Sequence, residues 1–378
     1  MEKAQTLRIL YVGWVGFGNL GDDVCRDLFI DHVRESAAAR GRECQIRTTT
    51  HQGISEEALL AFRPHLVVLG AGSLFTLPYL QPLLLAQKHG IPTATWGTGF
   101  DKLPGPLLDQ LLSGETSLSV WPSEHEAATV RRAVDACAWA GVRGPHTLTV
   151  LQSAGCASPR LHICGDPGLL LEAPGEAAAA WEPAEPALPS WLGAEAPVVG
   201  VNWGTANNQV YGADERGVAL KLRQVIDRLL SAGYRVLLFP VWGPDVGPLR
   251  RLAAPFEGNP NVFVFPRVPR GPQLAWILKQ CRFTINFKLH ANVFSAAAGR
   301  PFISLAYRSK CYDFAASLGC GHLVVRFSEP ELVDAVLSRC AAIERGLPEI
   351  TGQVRAKRRQ YVPRLKRLIQ SFAAAGLD

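Results

Sequence analysis

The sequence predicts an α/β protein made of two units, each with a parallel β-sheet covered by helices on both faces. Its 378 residues are too many for one typical domain and suit two of roughly 150–200 residues each. Short apolar runs alternate with amphipathic runs in both halves of the chain, which is the pattern of strands joined by helices in a parallel sheet. Between the halves, residues 173–197 are rich in Pro and Ala and carry no periodic apolar pattern, which is typical of a linker.

The first unit is expected over residues 1–172. Its strand-like runs are apolar or β-branched, and they lie at residues 7–15, 45–50, 66–69 and 93–96. Glycine-bearing turns follow three of these runs, at residues 16–21, 70–73 and 97–99. Amphipathic runs at residues 22–39 and 55–62 predict helices, the second with Ser55 as its N-cap.

The second unit is expected over residues 198–350. Its predicted strands lie at residues 198–202, 235–239, 262–265, 283–286 and 302–306, and its predicted helices at 218–232, 273–280 and 291–298. Residues 351–378 predict a final amphipathic helix whose apolar face is formed by Val362, Leu365, Leu368, Ile369 and Phe372. Its basic face has two open interpretations: a solvated surface, or attraction to an anionic membrane or lipid phosphate.

Composition and charge exclude several classes of protein. With 48% hydrophobic and 19% charged residues, the chain has the material for packed cores and is not disordered. Seven basic residues lie within residues 351–378 against one acid, so the net charge of +6 belongs to the tail, and we expect no nucleic-acid partner. The nine cysteines form no CxxC pair, and the histidines no HxxxH, so neither disulfides nor a metal site are expected.

A glycine-rich turn follows the first predicted strand and precedes a helix. Residues 16–21 match GxGxxG, the fingerprint of dinucleotide binding. Asp22 and Asp23 follow at once and would repel a pyrophosphate at the helix N-terminus. We expect the turn to present Asn19, Asp22 and Asp23 to a polar substrate; the alternative is that the aspartates only cap the helix.

Cationic side chains follow two predicted strands of the second unit. Lys288 and His290 come after the strand at 283–286, and Arg308 and Lys310 after the strand at 302–306. Open α/β sheets bind ligands at the carboxyl ends of their strands, where helix N-termini favour anions. These four side chains therefore predict a site for a polyanion, in which His290 can exchange a proton near neutral pH.

Two further segments carry candidate binding residues. Arg143 follows an apolar run and is expected either to hold an anion or to pair with an acid across a cleft between the units. Asn202, Thr205 and Asn207 lie on a strand end and the polar loop after it, and they offer hydrogen bonds to hydroxyl groups or a phosphate. Alternatively, they are ordinary loop residues.

Seven segments, taken in order, resemble the polysaccharide pyruvyl transferase family. They are GNLGDD (18–23), LGAGSLF (69–75), WGTGFD (96–101), VRGP (142–145), GDPGLLL (165–171), VNWGTANNQVYG (201–212) and KLHANVFSAAAGRPFISLAY (288–307), with Lys310 soon after. Their order and spacing over about residues 8–320 carry the resemblance.

The resemblance implies two Rossmann-like domains facing a central cleft, as in GT-B glycosyltransferases, with the acceptor on the first domain and the donor on the second. It implies transfer of a pyruvyl group from phosphoenolpyruvate, as co-substrate and without a separate cofactor, to a sugar diol of a glycan or lipid-linked saccharide. The product is a pyruvate ketal in cell-surface polysaccharide or related glycoconjugate biosynthesis.

By the family's motif, His290 is the acid/base candidate. The expected donor-binding residues are Lys288, Leu289, Arg308, Lys310 and Arg143, and the expected acceptor-binding residues are Asn19, Asp22, Asp23, Asn202, Thr205 and Asn207. Lys288 stands where the family usually has arginine; lysine keeps the charge and loses the bidentate fork.

Two other functions stay open. A nucleotide-sugar glycosyltransferase of the same architecture would need an acid for the ribose hydroxyls, and residues 291–300 offer none. The other is a non-catalytic ligand-binding relative. The N-terminal residues show no signal peptide, and Gly and Pro interrupt the uncharged run at 66–87, so we expect a cytoplasmic protein. Peripheral contact with the inner face of a membrane through the C-terminal helix stays open, as one of the two interpretations of its basic face.

Overall fold

The chain folds into two compact units, each built around its own parallel sheet. The structure, a computed structural model, describes residues 6–175, 188–193, 195–212 and 214–374. The first unit takes in the chain up to Phe17, then Asp22–Leu170, then the chain from Gln360 onward. The second takes in Gly18–Gly21 and Leu171–Arg359.

Six parallel strands form the sheet of the first unit, in the order β2-β1-β3-β4-β5-β6. The strands are β1 (Leu7–Val12), β2 (Cys44–Thr49), β3 (Leu66–Leu69), β4 (Thr93–Thr98), β5 (Trp139–Val142) and β6 (Leu161–Ile163). The helices are α1 (Leu20–Ala38), α2 (Glu56–Phe62), α3 (Leu77–Lys88), α4 (Gly105–Leu112), α5 (Glu124–Asp135) and α6 (Pro145–Ser153).

Local chemistry accounts for these elements. Every residue of β3 and of β4 is buried, as expected of strands covered on both faces. The Ser55 hydroxyl accepts a hydrogen bond from the Ala58 N–H at 3.1 Å and caps α2, as predicted. The uncharged run at 66–87 becomes β3, a glycine turn and most of α3. Among the residues that the structure describes, no helix is long and apolar enough to cross a bilayer.

The second unit has its own six-stranded parallel sheet, in the order β12-β11-β10-β7-β8-β9. The strands are β7 (Val198–Asn202), β8 (Arg235–Phe239), β9 (Val262–Val264), β10 (Phe283–Asn286), β11 (Phe302–Ala306) and β12 (Val324–Arg326). The helices are α7 (Leu188–Leu192), α8 (Glu215–Ser231), α9 (Val246–Ala253), α10 (Gly271–Gln280), α11 (Leu289–Ala297), α12 (Ser309–Ser317) and α13 (Leu332–Arg345). The last helix, α14 (Leu347–Ala374), belongs to this unit up to Arg359 and to the first unit from Gln360.

Part of the segment predicted as a linker has regular structure. Within residues 173–197, the short helix α7 buries Leu188 and Leu192, so this end of the segment packs against the second unit. Residues 176–187 and 194 of that segment lie outside the described part of the chain.

The final helix, α14, begins four residues before the predicted start, and residues 375–378 are outside the described range. Leu365, Leu368 and Ile369 of its predicted apolar face are buried. The Trp96 indole N–H donates to the Leu365 carbonyl at 2.9 Å, which holds this part of α14 within the first unit.

Candidate functional site

Lys288 and His290 lie at the carboxyl edge of the second sheet, as predicted. Lys288 directly precedes α11, and Leu289 and His290 are its first two residues, just after β10. Asn202, at the end of the neighbouring strand β7, accepts the Lys288 N–H at 2.9 Å and donates to the Phe239 carbonyl at 2.9 Å. Its amide therefore positions the Lys288 backbone.

The Lys288 ammonium is nearly buried against an acid. Its Nζ lies 3.3 Å from Asp245 Oδ1, donates to the Thr205 carbonyl, and lies 4.9 Å from the centre of the Trp242 ring. Burial lowers the pKa of Lys288, and the nearby charge of Lys310 lowers it further, while Asp245 acts in the opposite direction. Burial raises the pKa of Asp245 despite Lys288. An incoming anion would stabilise the charged lysine.

Asp245 orders the loop that follows β7. It is fully buried at the end of a short 3₁₀ helix, Gly243–Asp245, and accepts the Thr205 N–H at 3.0 Å. A Cβ atom on Gly204 would lie 2.0 Å from Asp245 Oδ1, so only glycine fits there. Asp245 could not be predicted as a site residue from the sequence, because no pattern distinguishes one acid after a strand from another.

A second acid, Glu215, also has no distinguishing sequence pattern; it is the first residue of α8 and holds the same loop. Its carboxylate accepts the N–H groups of Ala206 at 2.6 Å and Asn208 at 3.0 Å, and the Thr205 hydroxyl at 2.7 Å. Asn207 has a left-handed backbone with φ of 54° and is exposed. Thr205 is thus committed to the loop, whereas the Asn207 side chain lies at the surface.

Arg308 and Lys310 follow the adjacent strand, β11; Arg308 directly precedes α12, and Lys310 is its second residue. The guanidinium of Arg308 donates to the Gln209 carbonyl at 3.0 Å and to its side-chain oxygen at 3.1 Å. Both cations lie 5.4 Å from the ring of Tyr307. Because β10 and β11 are neighbours, the four residues predicted for a polyanion site follow adjacent strands at one edge of the sheet, and the charge of Lys310 acts on Lys288.

The ring of His290 is packed against the glycine-rich segment at residues 18–21. A Cβ atom on Gly21 would lie 1.9 Å from His290 Nδ1. The Leu20 N–H donates to the Val241 carbonyl at 3.0 Å, and Asn19 forms an antiparallel bridge with Trp242. Asn19 also accepts the Gly21 N–H at 3.2 Å. These contacts place the Gly18–Gly21 backbone at His290 within the second unit.

Arg143 lies fully buried within the first unit. Its Nε lies 3.2 Å from Asp166 Oδ2, and its Nη2 donates to the Gly72 carbonyl at 2.6 Å. A Cβ atom on Gly99 would lie 2.7 Å from the guanidinium carbon. The acid that pairs with Arg143 is therefore Asp166, which belongs to the same unit. Arg143 ties together the loops that follow β3, β4 and β6.

The two aspartates at the start of α1 lie in different surroundings. Asp22 is buried, and its charge adds to burial in raising the pKa of Tyr79 to about 12. Asp23 pairs with Arg26 at 2.9 Å and accepts the Gly16 N–H at 3.4 Å. Burial first, and then nearby carboxylates, raise the pKa of Cys25 in the same region. Acids at this helix start disfavour a bound pyrophosphate.

A family model described as polysaccharide pyruvyl transferase matches residues 21–309, which is more than half of the chain. The chain belongs to the polysaccharide pyruvyl transferase family. Six of the seven motifs that carried the resemblance lie wholly within the matched residues, and half of the seventh, GNLGDD, does. Among curated proteins, none matches this family member.

Solved structures similar to this pyruvyl transferase family member confirm the predicted GT-B-like fold class. MnaA of S. aureus, in a structure with UDP, has 9% identity and a TM-score of 0.59, over 92% of this chain and 90% of its own. UDP-GlcNAc 2-epimerase of Neisseria meningitidis, bound to UDP-GlcNAc, has 12% sequence identity and a TM-score of 0.57, and the match covers 93% of this chain and 94% of that one. The glycotransferase of kitacinnamycin has 15% sequence identity and a TM-score of 0.52, and the match covers 96% of this chain and 97% of that one. At these identities the likeness concerns the fold alone.

Proposed function

We propose that this chain transfers the pyruvyl group of phosphoenolpyruvate to a sugar diol and forms a cyclic ketal with release of phosphate. Family membership supports a transferase that modifies polysaccharide. The observation that carries the finer proposal is the placement of Lys288 and His290 at the N-terminus of α11, with Lys310 close enough to influence Lys288 electrostatically.

The chemistry needs one acid/base group and a cationic site. A proton goes to the methylene carbon of phosphoenolpyruvate, which leaves the adjacent carbon electrophilic. One sugar hydroxyl bonds to that carbon and loses its proton; the second hydroxyl then displaces phosphate, which leaves with that hydroxyl's proton. Proton transfer by a positioned side chain contributes about 10²–10⁴-fold to such steps.

His290 is the residue we assign to proton transfer. Its ring is 8% exposed and is stacked on Phe294 with 5.9 Å between ring centres. Packing on both Phe294 and Gly21 restricts the ring to one orientation, which a group that transfers protons requires.

We assign the phosphate and carboxylate of phosphoenolpyruvate to the cationic side chains and to the N-terminus of α11. Lys288, Arg308 and Lys310 supply charge, and Leu289 supplies backbone N–H at the helix end. Phosphoenolpyruvate is a co-substrate in this proposal, and no separate cofactor takes part.

The acceptor is, in this proposal, a sugar of a glycan or a lipid-linked saccharide. Asn19, Asp22, Asp23 and Asn207 remain the candidates for its hydroxyl groups. Asn202 and Thr205 would not contact the acceptor directly in this proposal. The Asn202 side chain accepts the Lys288 N–H, and the Thr205 hydroxyl donates to Glu215.

We further propose a cytoplasmic location with peripheral contact to anionic lipid through α14. Arg355, Arg359 and Arg367 are exposed along it, whereas Leu365 and Leu368 are buried. Contact would therefore be electrostatic and lost at high salt. Flotation with phosphatidylglycerol and with phosphatidylcholine vesicles tests it: equal binding to both would contradict the proposal.

Phosphate release tests the donor. Purified protein is incubated with phosphoenolpyruvate and a panel of sugars, lipid-linked and free, and phosphate is measured. We expect His290→Gln to lose at least about 100-fold in rate. His322→Gln is the matched control, because His322 is an exposed histidine of the same unit.

Two results would contradict the proposal. His290→Gln with full activity would remove the assigned role. Activity with a UDP-sugar, and none with phosphoenolpyruvate, would instead favour a nucleotide-sugar donor, the alternative suggested by similar structures that contain UDP or UDP-GlcNAc.

A further inference from the structure

Two aromatic side chains are exposed in the loop that follows β1. Trp14 is 41% exposed and Phe17 is 49% exposed. Their rings are stacked, with 4.3 Å between centres and 28° between planes. Each ring thus covers part of the other, and the pair still leaves a broad apolar surface facing solvent.

The backbone of this loop is fixed at several points. The Gly13 N–H donates to the Thr49 carbonyl at 2.9 Å, and the Gly16 N–H to Asp23 at 3.4 Å. Gly16 and Gly18 have φ of 86° and 66°, which favours glycine at both positions. The loop therefore presents its aromatic rings from a defined backbone.

The aromatic pair differs from the other exposed apolar side chains of the described residues. Leu60, Leu112 and Leu220 are single aliphatic residues on three different helices. Scattered residues of that kind are ordinary on a protein surface. An exposed aromatic pair after β1, an interior strand, is not ordinary in this way, and it lies at the edge of a parallel sheet where ligands bind.

We propose that Trp14 and Phe17 form a stacking platform for a pyranose ring of the acceptor glycan. The proposal rests on the proposed function and names the part of the substrate that the first unit recognises. The C–H groups on one face of a pyranose are apolar and slightly positive, and they suit the negative face of an aromatic ring.

Polar groups beside the platform match the rim of a sugar. Asp23 and Arg26 pair at 2.9 Å, and the two side chains keep 25% and 24% of their surface exposed. A carboxylate and a guanidinium can accept from and donate to hydroxyl groups around a ring that is stacked on the aromatic pair. The combination favours a sugar over an acyl chain, which would leave both charges unused.

Saturation-transfer NMR tests the platform with methyl glycosides of galactose, mannose, glucose and N-acetylglucosamine, and with their β-linked disaccharides. We expect binding to wild type that is roughly tenfold weaker in Trp14→Ala and in Phe17→Ala. Trp14→Tyr should restore most of it, because the ring is kept. Leu112→Ala, which removes an exposed apolar side chain elsewhere in the same unit, should have no effect.

The same samples separate this proposal from the proposed function. Thermal stabilisation by phosphoenolpyruvate should be equal in wild type and in Trp14→Ala; its absence from wild type would overturn the donor assignment and not the platform. Sugar binding that is unchanged in both alanine variants, or absent from wild type across the panel, would overturn the platform. A response to UDP that depends on Trp14, without one to sugars, would also overturn it.

Discussion

Replacing Gly21 by alanine should displace His290. The added Cβ would lie 1.9 Å from Nδ1, 2.0 Å from Cγ and 2.5 Å from Cε1 of the ring. Non-bonded atoms of this kind settle at about 3.5–4.0 Å, so the ring must move by roughly 1.5 Å. A misplacement of about 1 Å at a reacting group can lower a rate about 100-fold.

The stability of the Gly21→Ala protein should change much less than its activity. Overpacking costs about 1–3 kcal/mol, while alanine is about 1 kcal/mol better than glycine within a helix such as α1. The free energy of unfolding should therefore fall by about 0–2 kcal/mol in total. A large loss of activity with a small loss of stability is therefore the expected result.

Phosphate release from phosphoenolpyruvate and thermal unfolding are the two assays. Gly105→Ala is the matched control, because Gly105 is the first residue of α4 and a Cβ there would meet nothing within 4 Å. In the double variant Gly21→Ala/His290→Ala the ring is absent, so the stability cost of the clash should vanish and the two changes should be non-additive. Wild-type activity in Gly21→Ala would refute this account of the site.

Three further predictions concern charged groups. Because burial lowers the pKa of Lys288, affinity for phosphoenolpyruvate should fall as the pH rises through that pKa; calorimetry should show no such fall in Lys288→Arg. Arg143→Met should cost about 3 kcal/mol or more in chemical denaturation, because it leaves the buried Asp166 without its cation, whereas the half-exposed Arg131→Met should cost under about 1 kcal/mol. Glu215→Ala should speed hydrogen exchange at Ala206 and Asn208 and raise KM for phosphoenolpyruvate, because both N–H groups donate to one carboxylate oxygen that alanine lacks; unchanged exchange would contradict this role.

For much of the second sheet, the sequence predicts the first and last residue of each strand correctly. The strands Val198–Asn202, Arg235–Phe239, Phe283–Asn286 and Phe302–Ala306 have the predicted bounds. They are buried on both faces, so they form continuous apolar runs that polar or glycine residues end. β5 and β6 were missed, since the first contains a glycine and the second has only three half-buried residues.

The cationic residues of the candidate site could be predicted from the sequence, but the acidic residues that they contact or that order the neighbouring loop could not. Lys288 and His290 follow a strand directly, so position along the chain is enough to place them. Asp245 and Glu215 lie 43 and 73 residues away from Lys288 along the chain, and only the strand order brings them to the same loop. The Gly21 contact depends on the packing of a ring on a backbone, which no local pattern encodes.

Stabilisation by phosphoenolpyruvate is the measurement that tests the central claim most directly. A ligand at about 100 times its Kd adds about 2.7 kcal/mol to the free energy of unfolding. We predict a clear upward shift in melting temperature with phosphoenolpyruvate and none with UDP. The double variant Lys288→Met/Asp245→Asn, which removes the charged pair without leaving a buried charge alone, should lose the shift. A shift with UDP and none with phosphoenolpyruvate would contradict the account.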